Sequence, residues 1–281
     1  MEELSRSGIG AAAISYDPVD VLAGFAEKRG ISFPLLSDED SSVIENYGIL
    51  NKLAAQALGP NGNDPDLKAA ADTYVSVGGA FAEAVGTPYP GTFMLDANGI
   101  VEARFFEDFY RERNTTANVM LQLGIGLDPV AAIEGSTAEL DFVAYASNTF
   151  VFAGSRIAIA VNVEPNADMH VYAPGAEEMG YRVIRLNLHE NPGFRFEPVE
   201  YPPSKIYHFK PLDEHVPVYE ESFTLLQEVV VRASGKAQAA LREVDELTFT
   251  GSLDYQACDH EICYLPESVP LSFTFKIADD N

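Results

Sequence analysis

The sequence predicts two architectures in succession: an α/β first part and an all-β second part built as a sandwich. Three observations carry this. Short apolar runs alternate with helical periodicity as far as about residue 123. The period then changes over Gly124 to Ser136. Beyond that, apolar residues fall at every second position in segment after segment, with proline-rich loops between them. A length of 281 residues suits two ordinary domains with real cores. The expected boundaries are a first domain at 1–124, a linker at 125–136 and a second domain at 137–281.

In the first part, Gly10 to Tyr16 is an apolar run suited to a buried strand. Asp17-Pro18 supplies an N-cap and a first-turn proline for a helix with Val21, Leu22 and Phe25 on one face, and Gly30 ends it. Ile31 to Leu36 reads as a second strand. Ser37 or Asp38 caps a short helix through Val43, Ile44 and Tyr47. Residues 52 to 88, with the loop Gly59 to Asn63 and an alanine-rich helical stretch, read as an insertion. Thr92 to Asp96 and Ile100 to Phe106 flank Ala97-Asn98-Gly99 and predict a hairpin, because Asn-Gly supports the positive φ that tight turns need. Asn114-Thr115-Thr116 caps a helix through Val119, Met120 and Leu123.

In the second part, four sets alternate: Ile157 to Val163, Ile184 to Leu188, Leu247 to Leu253 and Leu271 to Ile277. Tyr201-Pro202-Pro203 and Lys210-Pro211 mark loops. His170, in Met169-His170-Val171-Tyr172, alternates with apolar residues and reads as a strand histidine.

Composition excludes several functions. A net charge of −25 with only 18 Lys and Arg does not suit phosphate backbones or anionic membrane surfaces. No apolar run is long enough to cross a bilayer as a helix. Nucleic acid is therefore not an expected partner, nor is membrane insertion of this chain expected. There is no G-x-S-x-G, phosphate loop or H-E-x-x-H.

The chemistry concentrates in Tyr255-Gln256-Ala257-Cys258-Asp259-His260-Glu261-Ile262-Cys263-Tyr264. The two cysteines are the only ones in the chain. A bond between them closes a very small loop and contributes roughly 2 kcal/mol in the chain-entropy picture. Such a bond is either an exchanging one or an incidental staple, and spacing leaves both open. A protonated His260 favours a thiolate, while Asp259 and Glu261 oppose it. A third reading makes Cys258, His260 and Cys263 metal ligands with His170, His189, His208 or His215, but the spacing fits no standard zinc motif, and no metal is expected. Pro90 reads either as part of a proline-rich turn into the next strand or as a cis proline.

Two stretches resemble known families. Ala13-Ile14-Ser15-Tyr16-Asp17, Phe33-Pro34-Leu35-Leu36-Ser37-Asp38, Tyr47-Gly48-Ile49-Leu50-Asn51 and Tyr89-Pro90-Gly91-Thr92-Phe93-Met94-Leu95-Asp96 resemble the later part of a redoxin domain of the thioredoxin-like AhpC/TSA type. The resemblance implies that Pro90 occupies the cis-proline position. It also implies an incomplete thioredoxin-like domain that lacks the early strand and reactive cysteine of its type, either because the given sequence is a fragment whose missing part precedes Met1, the favoured expectation, or because the domain is a degenerate remnant. Met169-His170-Val171-Tyr172, Tyr201-Pro202, Val218-Tyr219-Glu220, Tyr255-Gln256-Ala257-Cys258 and Cys263-Tyr264-Leu265-Pro266 resemble the amino-terminal domain of DsbD, the thiol:disulfide interchange protein. That resemblance implies an immunoglobulin-like sandwich and an extracytoplasmic, periplasmic setting. It implies a Cys258–Cys263 pair that exchanges electrons with thiol- or disulfide-carrying partner proteins, and a cap loop over Tyr207 to His215.

The expected function is thiol:disulfide oxidoreduction with Cys258 and Cys263 as the reacting residues, supported by Tyr255, Gln256, His260, Tyr264 and Pro90, with no cofactor. A peroxidase reading has no peroxidatic cysteine in this chain. The alternative from another class is a binding or scaffolding module whose disulfide is structural.

Overall fold

The computed structural model describes residues 2–60, 62–76, 85–106, 112–127, 129–210, 212–233 and 235–278. They form two compact units, Met1–Tyr110 and Arg111–Asn281.

The first unit is a small α/β region. It holds α1 (Glu2–Arg6), β1 (Ala13–Ser15), α2 (Val19–Arg29), β2 (Leu35–Ser37), α3 (Ser42–Asn46), α4 (Lys52–Ala57), α5 (Pro65–Ser76), β3 (Thr92–Leu95) and β4 (Val101–Phe105). Local chemistry sets these limits. Pro18 stands at the N-cap of α2, one residue later than the expected Asp17, whose carboxylate instead accepts the Ser15 hydroxyl. Gly30 ends α2 in the left-handed conformation at φ 63°. The buried Asp38 carboxylate accepts the amides of Val43 (3.2 Å) and Ile44 (2.8 Å), donors that α3 has no internal partner for. In the β3–β4 hairpin, Asp96 Oδ1 accepts the amides of Asn98 and Ile100, and Gly99 takes φ 81°. β1 pairs with β2 in parallel and β3 with β4 antiparallel; among the described residues the two pairs share no strand. Of the alanine-rich stretch, residues 77–84 lie outside the described residues, and α4 and α5 account for most of the rest.

The second unit is an immunoglobulin-like β-sandwich. Its elements are β5 (Arg113–Asn114), α6 (Thr116–Gln122), β6 (Ile133–Ser136), β7 (Leu140–Ala146), β8 (Phe150–Val151), β9 (Ser155–Pro165), β10 (His170–Tyr172), a 3₁₀ turn (Ala176–Met179), β11 (Arg185–Leu188), β12 (Phe194–Glu200), β13 (Lys205–Phe209), β14 (Glu214–Tyr219), β15 (Phe223–Val231), α7 (Gly235–Leu241), β16 (Glu246–Tyr255), β17 (Ala257–Cys258) and β18 (Glu267–Ile277). One sheet runs β12-β15-β9-β7-β6, with β5 added beside β9. A second runs β11-β16-β18-β8. Between them lies the main core, with Phe142, Ile157, Ile159, Val161 and Leu225 from the first sheet and Phe249, Leu253, Leu271, Phe273 and Phe275 from the second. Gly251 interrupts the apolar set of β16 because a Cβ there would run into the Asn187 carbonyl of β11. A third sheet, β13-β14-β10-β17, carries Cys258.

β9 is buried on both faces over most of its length. Ile157, Ile159 and Val161 face the core, while Ala158 and Ala160 form a second cluster with Tyr145 and with Leu121 of α6. Small alanines let the helix approach the sheet. Thr115 caps α6 through its hydroxyl, which accepts the Asn118 amide at 3.1 Å. A buried charge network fixes the same segment. Glu112 accepts from Arg156 Nη1 (2.7 Å) and Arg195 Nη1 (2.7 Å), Arg156 also pairs with Glu228, and Glu228 accepts from Asn118 and Gln122. Residues 112–122, assigned to the first domain from sequence, thus pack within the second unit.

Candidate functional site

The site is built by β10. Its three residues lie between β14 and β17, with His170 opposite Cys258 and Tyr172 opposite Val218. Cys258 and Cys263 form a disulfide with Cα atoms 4.1 Å apart. The two sulfurs have different surroundings. Cys258, on a strand, is 1% exposed and belongs to a small core with Tyr172, Ala176, Val183, Val216 and Val218. Cys263, on the loop that follows, is exposed.

Tyr172 touches both. Its hydroxyl lies 2.9 Å from Cys258 Sγ and 3.2 Å from Cys263 Sγ. A disulfide sulfur carries no proton, so the hydroxyl is the donor. Burial pushes the Tyr172 pKa well above the ordinary tyrosine value, with Tyr181 and Glu214 adding to it, so the hydroxyl keeps its proton at physiological pH. The ring stacks on Tyr181 (4.2 Å), whose hydroxyl donates to Glu214 and whose own pKa is pushed up to about 12, chiefly by burial. His170 is buried against Tyr207 of β13 (4.5 Å) and the edge of Tyr172 (5.7 Å). Burial lowers its pKa and outweighs the nearby charge of Asp259, which favours the neutral imidazole.

The loop between the cysteines is held from inside. Asp259 Oδ1 accepts the amides of Glu261 (2.7 Å) and Ile262 (2.6 Å), and Oδ2 accepts the Tyr264 hydroxyl (2.9 Å). Those two backbone bonds are the main reason the Asp259 pKa lies below the usual carboxylate value. Gln256 donates to the Tyr264 carbonyl (2.9 Å) and accepts the Arg182 amide (3.2 Å), tying the end of the loop to the residues before β11.

The residues expected from sequence therefore divide. Cys258 and Cys263 meet, and Gln256 and Tyr264 shape their loop. Tyr255 instead fills the main core, its hydroxyl 2.9 Å from Thr137 Oγ1 and 3.0 Å from Glu267 Oε2. His260 is exposed and lies 3.7 Å from Glu261 rather than against a sulfur. Pro90 belongs to the first unit, and every described peptide bond is trans, which corrects the cis-proline expectation. The preceding segment is bridged to Ile49–Asn51, with the Tyr89 amide on the Ile49 carbonyl at 2.7 Å, and the trans form is the intrinsic preference of an X–Pro bond. With each sulfur bonded to the other, the Cys258–His260–Cys263 ligand set is not assembled. The expected cap is the β13–β14 hairpin, whose Tyr207 packs on the Cys258 cluster; Pro211 lies outside the described residues. Sequence reasoning gave no role to Tyr172, Tyr181 or Glu214. The available signal was the alternation of His170 and Tyr172, two rings on one face of a three-residue strand.

The site thus joins a disulfide, one of whose cysteines is exposed, to a hydroxyl that reaches both sulfurs. The comparisons give its kinship. Residues 1–104 match the AhpC/TSA family, and residues 140–273 match the family described as thiol:disulfide interchange protein DsbD, N-terminal. The chain thus carries a redoxin-type segment followed by a DsbD N-terminal-type domain. It is 45% identical over 49 residues to Peroxiredoxin Bcp of Escherichia coli (strain K12), and 40% identical over 48 residues to Putative peroxiredoxin bcp of Coxiella burnetii. Each match covers 17% of this chain, and 31% and 32% of those proteins, so the chain spans about a third of the length of the curated relatives it matches. Among solved structures, the N-terminal periplasmic domain of ScsB from Proteus mirabilis is similar at a TM-score of 0.35 and 11% identity, over 52% of this chain and 50% of that one. No helix among the described residues is long and apolar enough to cross a membrane.

Proposed function

We propose that the chain is a thiol:disulfide oxidoreductase that exchanges electrons with thiol- or disulfide-carrying partner proteins through Cys258 and Cys263, in an extracytoplasmic, periplasmic setting. The observation that carries the reading is the asymmetry of the pair: Cys263 is an exposed residue, Cys258 a buried one under a hydroxyl donor. A partner thiolate attacks Cys263 Sγ, the reachable sulfur. The Cys258–Cys263 bond breaks, a mixed disulfide forms at Cys263, and Cys258 leaves as a thiolate facing the Tyr172 hydroxyl. A second partner thiol then attacks the partner's sulfur of the mixed disulfide and releases Cys263. The partner dithiol is oxidised, the pair is reduced, and two electrons and two protons cross. In reverse, Cys263 attacks a partner disulfide and Cys258 resolves the intermediate. Gln256 and Tyr264 hold the loop that presents Cys263.

The test is a redox titration of the pair in glutathione buffers, read by thiol alkylation and mass, since the chain has no tryptophan to report the change. A midpoint between roughly −120 and −270 mV is expected. A bond that stays oxidised below about −300 mV marks a structural staple and turns the reading to a binding module.

A further inference from the structure

The outer face of the β12-β15-β9-β7-β6 sheet is only partly covered. α6 lies over Tyr145, Ala158 and Ala160. Past the end of the helix the same face continues as an open trough of about 940 Å³, near the upper end of the range typical of ligand clefts. Strand alternation dictates what lines it. Val143 and Leu226 are half-buried, and Ile125 stands beside them. Glu134 of β6 lies directly opposite Val143, whose row continues through Asn162 and Thr224, and two residues further along β7 and β9 come Asp141 and Glu164.

Asp141 and Glu164 are direct cross-strand partners. Like charges in that position destabilise a sheet, and opposite charges are the favourable pairing. No described Lys or Arg pairs with Glu134, Asp141 or Glu164, and no described group of three ligands suits a metal ion. The trough therefore combines a partly apolar floor, in which Thr224 donates to Asn162, with unneutralised carboxylates in two successive rows, at strand spacing of roughly 6.7 Å for two residues.

We propose that this trough docks an extended cationic segment of a partner protein, with an apolar side chain against Leu226 and Lys or Arg side chains two and four residues further on, the first reaching Glu134 beside Val143 and the second reaching Asp141 and Glu164. Apolar contact and charge complementarity act together, and the second sets orientation and encounter rate. The trough lies on a different sheet from the Cys258–Cys263 bond, so this inference stands independently of the redox reading.

The test uses the full 281-residue chain and a fluorescein-labelled peptide, acetyl-Gly-Leu-Ser-Lys-Ser-Lys-amide, with its Glu-for-Lys counterpart as control. Binding by polarisation is expected for the Lys peptide alone. The Asp141→Lys/Glu164→Lys double variant weakens it about tenfold or more, and Leu226→Ser about fivefold. Glu177→Lys/Glu178→Lys, an equal charge change on the 3₁₀ turn away from the trough, leaves it within about twofold. Equal loss in both double variants reduces the effect to general attraction by an acidic protein and overturns the proposal, as does binding that ignores Leu226. Amide shift mapping on the wild-type chain is independent of how the variants fold. Perturbations at Val143, Asn162 and Leu226 are expected, and perturbations confined elsewhere, or no binding of the Lys peptide, refute it.

Discussion

Tyr172→Phe tests the core of the redox reading, because it removes one oxygen and keeps the ring that stacks on Tyr181. In the oxidised protein the lost contact is a neutral hydrogen bond to sulfur, worth about 0.5–1.5 kcal/mol. In the reduced protein the same hydroxyl faces the Cys258 thiolate, and bonds to charged groups are worth about 1.5–3 kcal/mol. The difference of ~1–1.5 kcal/mol falls on the reduced state. Reduction becomes less favourable, and the midpoint moves to more negative potential by about 20–30 mV. The Cys258 thiolate becomes less favoured against the thiol for the same reason. Bond cleavage places only part of that charge on Cys258, so reduction by dithiothreitol slows by roughly two- to fourfold. The midpoint is read in glutathione buffers, and the pKa by thiolate absorbance in a Cys263→Ser background. Tyr172 itself does not titrate in the working range, since burial holds its pKa above the ordinary value. A variant of wild-type melting temperature with an unmoved midpoint and an unmoved thiolate pKa refutes a role for the hydroxyl.

Three further outcomes follow from the geometry. Cys258→Ser leaves the exposed Cys263 free to accumulate a mixed disulfide with a small aromatic disulfide reagent, whereas Cys263→Ser leaves only the buried Cys258 and reacts at least tenfold more slowly; equal rates by mass contradict the assignment of the reachable sulfur. Burial depresses the His170 pKa below its unfolded value near 6.5, so the unfolded state takes up more protons as pH falls through that value. The stability His170 confers is complete above about pH 6.5 and declines below it, and His170→Phe, compared by urea unfolding at neutral and mildly acid pH, flattens this slope; an identical slope excludes His170 as its source. Glu112→Ala strips a buried carboxylate from Arg156 and Arg195 and costs about 3 kcal/mol, the low end for a broken buried pair because Glu228 remains beside Arg156; a loss below about 1 kcal/mol assigns the network no more than a surface value.

Much of the fold was legible where its signal is local. The alternation of β9, β16 and β18, the Asn-Gly hairpin and the Gly30 cap each follow from residues within a few positions of one another. β15 was not read, because Phe223 to Val231 is apolar on both faces near its end and period two fades there. Pairings that span the chain left no such trace. Tyr172 meets Cys258 across 86 residues, and Glu112 meets Arg195 across 83. A lone glutamate after a run of irregular sequence carries no sign that it closes a buried network. The reading that α6 ends the first domain has the same origin: its cap is encoded locally, but the alanines that receive it are on β9. Tyr255 shows the converse error. Closeness to a cysteine in sequence suggested a role at the site, while strand alternation sends its ring to the opposite face, into the main core.

The remaining question is whether the bond serves the fold or the partner, and its place in the chain separates the two. A staple contributes most when it closes a long loop or joins elements that otherwise part. This bond spans five positions at the end of a β-sheet whose neighbours are already paired, and Asp259 and Gln256 hold its loop with hydrogen bonds that do not involve sulfur. The sandwich core of Phe142, Phe194, Phe249, Phe273 and Phe275 contains neither cysteine. The Cys258→Ser/Cys263→Ser double variant should therefore fold, with a loss of about 2 kcal/mol or less and a fall in melting temperature of about 4–8 °C, while losing all exchange with thiol reagents. Failure of that variant to fold, with the bond resisting reduction in the wild type, makes the disulfide a structural element after all. Folding with full loss of exchange leaves the partner as the reason for a reachable Cys263.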